Sequence, residues 1–305
     1  MASIPIVVGA DGSEQSSRAV EWAAREAVRR KVPLRIVSVS AMPSRMRPRN
    51  SNPTTVADIL HKISARTLAA ALTRAREIAP GLHVETELVT GPPAQTLTAC
   101  GSGASMLVVG ARGAGGFSAM VLGSVSRYAA MHARCPVVVA HEDSVAVHRE
   151  VVVGVGDPAE AADSLRFAFE EASMRGAMLL AVHALARYPA SSDWDDEDVK
   201  LAGWLHAVPG LDVAGDKGEP PDETAAAAEL AQVLAGWQEK YPEVRVGQDV
   251  IRGHAGRVLS SYAARADLVV IGRHHDREGL AAVGSIQHPV LNHAHGPVAI
   301  VPSAH

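Results

Sequence analysis

The feature that most constrains this chain is that it repeats itself. Residues 6–10 read IVVGA and residues 151–155 read VVVGV. A shift of 145 places Val20 on Leu165, Trp22 on Phe167, Ala23 on Ala168 and Ala27 on Ala172. Further on, MLVVGARG (106–113) resembles DLVVIGRHH (267–275), with Gly110 on Gly272 and Gly91 on Gly253 at a shift of 162. GSVSRYAAMHARCPVVVAH (123–141) then matches GSIQHPVLNHAHGPVAIVP (284–302) at a shift of 161. Internal repetition decides architecture before any single element does. The chain therefore reads as two copies of one domain, 1–145 and 146–305, joined in the polar run from Glu142 to Arg149. The step from 145 to 162 gives the second copy 17 additional residues, which fall most naturally within 187–221. That stretch holds the acidic run from Asp193 to Asp198 and the pair Pro220-Pro221. One residue is lost between Gly272 and Gly284.

Within each copy, strand and helix patterns alternate. Short Val/Ile/Leu runs without polar interruption mark strands buried on both faces. They fall at 4–10, 34–40, 83–89, 104–110 and 136–141, and again near 150–155, 178–184, 244–251, 267–272 and 297–302. Ser13 is placed to cap a helix whose Val20, Ala23, Ala24 and Ala27 share one face. Further helices fit 54–79, 93–101 and 123–133. Strand–helix alternation predicts a doubly wound α/β domain with a five-stranded parallel sheet, right-handed crossovers and helices on both faces. With aromatic residues at only 4%, the core must be built from Ala, Val, Leu and Ile.

The charge balance, 29 basic against 33 acidic residues, argues against a nucleic-acid partner. No apolar run is long enough to span a membrane. The first residues, MASIPIVVGADGS, lack the basic and apolar regions of a signal peptide, so a cytoplasmic protein is expected. Cys100 and Cys135 are too few for a disulfide framework or a structural zinc site and read as small core residues.

In parallel α/β sheets, ligands bind beyond the carboxyl ends of the strands, where the strand order reverses. Two loops of the first copy are unusual there. One is Gly9-Ala10-Asp11-Gly12-Ser13. The other runs Gly110-Ala111-Arg112-Gly113, nine residues, then Gly123-Ser124-Val125. Gly110 and Gly113 let backbone approach a ligand with no Cβ in the way. Gly123-Ser124 opens a helix whose free N–H groups favour a phosphate. Ser124 could cap that helix or bind a phosphate oxygen. Asp11 could accept from a ribose or help hold a divalent cation. Asp11-Gly12 alone is more often a turn than a ligand contact, and Gly123-Ser124 alone is only a helix start; their joint occurrence points to a nucleotide.

The spacing Gly-x2-Gly-x9-Gly-Ser, after a Val-rich strand and before a helix and the strand CPVVVA, resembles the ATP-binding universal stress proteins, as does Asp-Gly-Ser after the first strand. The resemblance covers essentially the whole chain as two tandem domains. It implies strand order 3-2-1-4-5 in each. It implies ATP contacts at Asp11, at Val39 beside the adenine, at Val109, Gly110 and Gly113 near base and ribose, and at Gly123, Ser124 and Val125 around the phosphates. Lacking the Gly-Lys-Ser/Thr of a P-loop, the chain must hold phosphates by backbone amides and hydroxyls, with or without Mg2+. The resemblance also implies a role in stress or growth control, an unidentified protein partner, and dimerisation through the last strand of each domain. The strands 136–141 and 297–302 could pair antiparallel within one chain, and whole chains could form a homodimer.

The second copy departs from this pattern. Asp11 becomes Gly156, Val39 becomes Ala184 and Gly113 becomes His275, while Gly272, Gly284 and Ser285 remain. A weakened second nucleotide site is expected. The histidines His274, His275, His288, His293 and His295 lack helical metal spacing and read as loop or surface residues. Arg45, Arg47 and Arg49 read as a solvated loop. The leading function is an ATP-binding regulatory protein, at most a slow ATPase. The alternatives are a nucleotide-free dimerising scaffold and a nucleotidyl-transfer enzyme.

Overall fold

A computed structural model describes residues 3–40, 53–113, 122–141, 147–157, 160–185, 222–273 and 286–303. The first half runs β1 (Ile6–Gly9), α1 (Glu14–Arg30), β2 (Leu34–Ser40), α2 (Pro53–Ile78), β3 (Val84–Thr90), α3 (Pro93–Cys100), β4 (Met106–Gly110), α4 (Ser124–His132) and β5 (Val137–Ala140). The second half runs β6 (Glu150–Gly154), α5 (Ala162–Arg175), β7 (Met178–Leu185), α6 (Glu223–Lys240), β8 (Val246–Arg252), α7 (Ala255–Ala263), β9 (Leu268–Arg273), α8 (Gln287–His293) and β10 (Val298–Pro302). The basic loop at Arg45–Arg49 and the acidic run 193–198 lie outside the described residues.

The strands form one sheet in the order β3-β2-β1-β4-β5-β10-β9-β6-β7-β8. Each half thus has order 3-2-1-4-5, parallel throughout. The halves join where β5 and β10 pair antiparallel, Val139 opposite Val298 and Val137 opposite Ile300. Two apolar edges that would each invite aggregation thereby cover one another. Alternation along each strand feeds two core layers. Ile6 and Val8 face the layer covered by α1, α2, α5 and α6, while Val7 faces the layer covered by α3, α4, α7 and α8. The α1 stripe read from the sequence, Val20, Ala23, Ala24 and Ala27, is fully buried. No helix among the described residues is long and apolar enough to cross a membrane.

The repeat registers hold at the level of contacts. A Cβ on Gly9 would strike Leu97, and a Cβ on Gly154 would strike Leu259, 162 residues further on from Leu97. The left-handed residue that ends α1 is Lys31 (φ 56°); its counterpart after α5 is Gly176 (φ 58°).

The halves also meet through a buried ionic cluster. Glu26 and Glu171, both fully buried, occupy equivalent positions on α1 and α5, as do Arg30 and Arg175. Within its own helix, Arg30 Nε donates to Glu26 Oε1 (2.9 Å) and Arg175 Nη2 to Glu171 Oε2 (2.6 Å). Across the pseudo-twofold, Arg175 Nη2 donates to Glu26 Oε2 (2.8 Å) and Arg30 Nη2 to Glu171 Oε1. Arg29 adds a further donor to Glu26. The guanidiniums lie over the aromatic rings of the opposite half, Arg30 over Phe167 and Arg175 over Trp22. Burial and the charge of Glu171 push Glu26 above the usual carboxylate value. Burial opposes ionisation of Glu171 as well, but Arg175 and Arg30 overcome it and hold Glu171 below that value.

Candidate functional site

In the first half the strand order turns about β1, which pairs with β2 on one side and β4 on the other. The loops leaving β1 and β4 lie side by side there, and the sequence-predicted residues gather around them.

After β1, Asp11 Oδ1 accepts from the Ser13 N–H (2.9 Å), and Ser13 Oγ accepts from the Ser16 N–H (3.1 Å), capping α1. The turn and the helix start are thus one hydrogen-bonded unit. Gly12 takes a left-handed φ of 84°, and a Cβ there would lie 3.2 Å from Thr67 Oγ1 on α2. Asp11 itself is exposed.

The structure brings the β4 loop onto this turn. A Cβ built on Gly113 would sit 2.5 Å from Asp11 Oδ2, so any side chain there would displace the carboxylate. Gly110 has a different reason to be glycine. Its Cβ would fall 2.7 Å from the backbone carbon of Gln15, because the first turn of α1 crosses β4 at this point. That is a packing constraint, where the sequence suggested close approach to a ligand.

The loop then returns to α4, which begins at Gly123 with no side-chain hydrogen bond capping it. The Gly123 N–H donates to Ala111 O (2.8 Å). Ser126, buried in the first turn of α4, donates its hydroxyl to Gly110 O (2.7 Å). These bonds fix the amino end of α4 beside the end of β4. Ser124 is exposed there. Val39 and Val125 lie half-buried against the layer that contains Val109. Asp11, Val39, Val109, Gly110, Gly113, Gly123, Ser124 and Val125 therefore line one strand-end region.

Ser126 escaped the sequence reading, although the repeat contains its signal. At the shift of 161 it falls on Gln287, whose Nε2 donates to Gly272 O (3.3 Å), the equivalent carbonyl. The second half keeps this strut with a longer side chain. Gly272 is buried in β9 and pairs with Val301. Gly156 and Asp157 are exposed after β6, and a Cβ on Gly156 would meet nothing within 4 Å. Beside them His183 Nδ1 lies 2.8 Å from Val155 O. A carbonyl only accepts, so Nδ1 carries the proton. Gly284, Ser285, His274 and His275 lie outside the described residues.

Burial pushes the Cys135 thiol up to about 11, so it is a neutral core group at neutral pH rather than a reactive thiolate. Cys100 is half-buried, more exposed than a core residue should be, and its thiol is also raised by burial. Among the described residues no group of His, Cys, Asp and Glu could hold a metal ion.

Comparison with known proteins agrees with this layout. The model of the universal stress protein family matches residues 5–141 and 148–302. Universal stress protein Rv2005c of Mycobacterium tuberculosis is 34% identical over 304 residues, covering 97% of this chain and 96% of that protein. Universal stress protein Rv2623 of the same organism is 34% identical over 317 residues, covering 98% and 96%. A universal stress protein of Mycolicibacterium smegmatis is 35% identical over 306 residues, covering 97% and 96%. Among solved structures, a universal stress protein from Archaeoglobus fulgidus superposes with a TM-score of 0.71 over 100% of both chains at 17% identity, a likeness of fold. Two matched domains and relatives that span the chain end to end place this protein in the universal stress protein family, as a tandem-domain member.

Proposed function

We propose that the chain is an ATP-binding regulatory protein whose first half, residues 1–145, holds the stronger nucleotide site. The observation that carries this reading is the meeting of Asp11 and Gly113 beside the amino end of α4, whose N-cap residue, Gly123, brings no side chain over the helix N–H groups. The residues fit the ligand. A helix amino terminus offers N–H groups and a positive dipole end to phosphate. The glycine at position 113 leaves room where a side chain would displace the Asp11 carboxylate. Val39, half-buried at the end of β2 over the layer that contains Val109, supplies apolar surface for a base, and Asp11 an acceptor for ribose hydroxyls. Mg2+ would arrive on the phosphates, with Asp11 as the nearby carboxylate. ATP, by binding or slow hydrolysis, would set the conformation that a protein partner in the cytoplasm reads.

The second half, residues 146–305, is the weaker site in this proposal, since Gly156 and Ala184 replace Asp11 and Val39. Loss of one ribose hydrogen bond is worth about 1 kcal/mol, near a fivefold change in affinity. Association of whole chains into a homodimer would have to use a surface other than β5 and β10, which cover each other.

The test is calorimetric titration of ATP into the wild-type chain and into Gly123→Val. Gly123 has φ −72° and ψ 156°, extended values that a β-branched residue adopts readily, and its Cβ would lie 3.3 Å from Ala111 O, a crowding that a small shift of the loop relieves, so the variant should fold. First-site binding should be lost while the urea midpoint falls only slightly and the transition stays cooperative. Wild-type affinity in the variant would remove the phosphate site from the proposal.

A further inference from the structure

α4 is nine residues long, about 14 Å. Helices this short are marginal alone and depend on what holds their ends. Its amino end is tied to β4 by Gly123 and Ser126. Its carboxyl end is held from the other half of the molecule. Arg273, the last residue of β9, donates from Nη1 to Ala130 O (3.1 Å) and from Nη2 to Ala133 O (2.6 Å). Ala133 is the residue that ends the helix.

Arg273 is only 6% exposed. Among the described residues it has no carboxylate partner. A buried cation must find compensation somewhere, and here two carbonyls at the negative end of a helix supply it. The arginine is not repeated at the matching strand position: at the shift of 162 Arg273 falls on Ala111. The reciprocal contact uses another side chain. His141, which follows β5, bonds through Nε2 to Leu291 O on α8 (2.9 Å), and Leu291 corresponds to Ala130 at the shift of 161.

We infer that Arg273 is a positioning residue for the phosphate end of the first-half nucleotide site. It acts through α4, fixing the helix from its far end so that the first-turn amides face the ligand. Its positive charge at the carboxyl end also adds to the positive potential at the amino end. Two charge-assisted hydrogen bonds fix a direction that one would leave free to swing. The inference rests on the proposed nucleotide reading, and it names which half of the molecule controls that site.

The experiment compares the wild-type chain with Arg273→Met and Arg273→Lys, titrated with ATP and with adenosine. Arg273→Met should weaken ATP about fivefold, the scale of a lost charge at a helix end. Adenosine, which does not reach α4, should bind as in the wild type. Arg273→Lys, keeping the charge, should recover part of the loss. In a Gly123→Val background, Arg273→Met should have no further effect on ATP. Equal weakening of both ligands, no weakening of either, or an undiminished effect in the Gly123→Val background would overturn the inference. If the wild type binds no ATP, the nucleotide reading fails, and hydrogen exchange judges Arg273 by itself. Faster exchange of the amides of residues 124–128 in Arg273→Met would then support its control of the amino end, and unchanged exchange would refute it.

Discussion

Replacing Arg175 by Met should destabilise the protein far more than its partly exposed neighbours would suggest. Arg175 gives Nε to Glu171 (2.9 Å) and Nη2 to both Glu171 (2.6 Å) and Glu26 (2.8 Å). Met matches much of its length and keeps the contact with Trp22, so the lost quantity is charge. Two carboxylates with no solvent exposure would be left to Arg30 and Arg29. Removing one member of a buried ion group costs about 3–5 kcal/mol, most of it the burial of the charge left behind. With a urea slope of about 2 kcal/mol/M, the midpoint should fall by about 2 M at pH 7.5. The penalty should shrink on acidification, for a reason the signs make explicit. In the wild type, Glu171 is depressed and stabilises above about 4.5, losing its contribution as pH falls through its folded value. Glu26 is raised and contributes the opposite trend, stabilising below 4.5 and losing that as pH rises through its folded value. Arg175 lowers both, so its removal moves both carboxyls upward and makes proton uptake stabilising. The variant should therefore approach the wild type between pH 7.5 and pH 5. Replacing all four charges together, Glu26→Leu, Glu171→Leu, Arg30→Met and Arg175→Met, should cost little or nothing. Urea curves read by tryptophan fluorescence measure all of this. A loss below about 1 kcal/mol at pH 7.5, with no pH dependence, would show that the cluster is hydrated and that the reasoning from burial is wrong.

Gly110→Ala should destabilise by about 1–3 kcal/mol, because its Cβ meets the backbone of Gln15 rather than a movable side chain. Gly113→Ala should leave the urea midpoint within about 0.5 kcal/mol of wild type, yet weaken ATP, because it meets the Asp11 carboxylate; comparable stability loss in both variants would dissolve the distinction. Burial lowers the pKa of His141 below its ordinary 6.5, so its contribution is complete above that pH and is lost as pH falls. His141→Asn should flatten the decline in the urea midpoint below pH 6.5, and an unchanged slope would remove His141 as its cause.

The α/β architecture was legible because buried strands write long apolar runs and because the chain writes its domain twice. The registers of 145 and 162 carry the contact of Gly9 with Leu97 onto that of Gly154 with Leu259. The gathering of Asp11, Gly113 and Gly123 was legible for a related reason, since all three follow the carboxyl ends of the two strands beside the point where the strand order turns. Gly110 shows the limit: a glycine that admits a ligand and one that admits a neighbouring helix look alike in sequence.

What the sequence hid lies between the halves. Glu26 and Arg30 read as an ordinary i,i+4 pair on the polar side of α1, worth a few tenths of a kcal/mol when exposed. Only the meeting of α1 with α5 buries them, and helical periodicity carries no information about which helix arrives. The repeat did hold a clue, since Glu26 falls on Glu171 and Arg30 on Arg175 at the shift that superimposes the buried alanines. A charge that recurs at the edge of a core stripe in both copies is where two copies can touch. Arg273 had no such signal, because Ala111 stands in its place in the first copy. Asymmetry of that kind is invisible to a search for repetition, yet in a tandem protein it is what can make the two sites unequal. One half lends an arginine to the helix at the other half's proposed phosphate site, and receives a histidine in return. The histidine answers to pH in a range where the arginine does not. A carbonyl only accepts, so Nε2 already carries its proton; acidification adds a second proton at Nδ1, and its cost is a buried charge in the contact between β5 and α8, with no counterpart at α4.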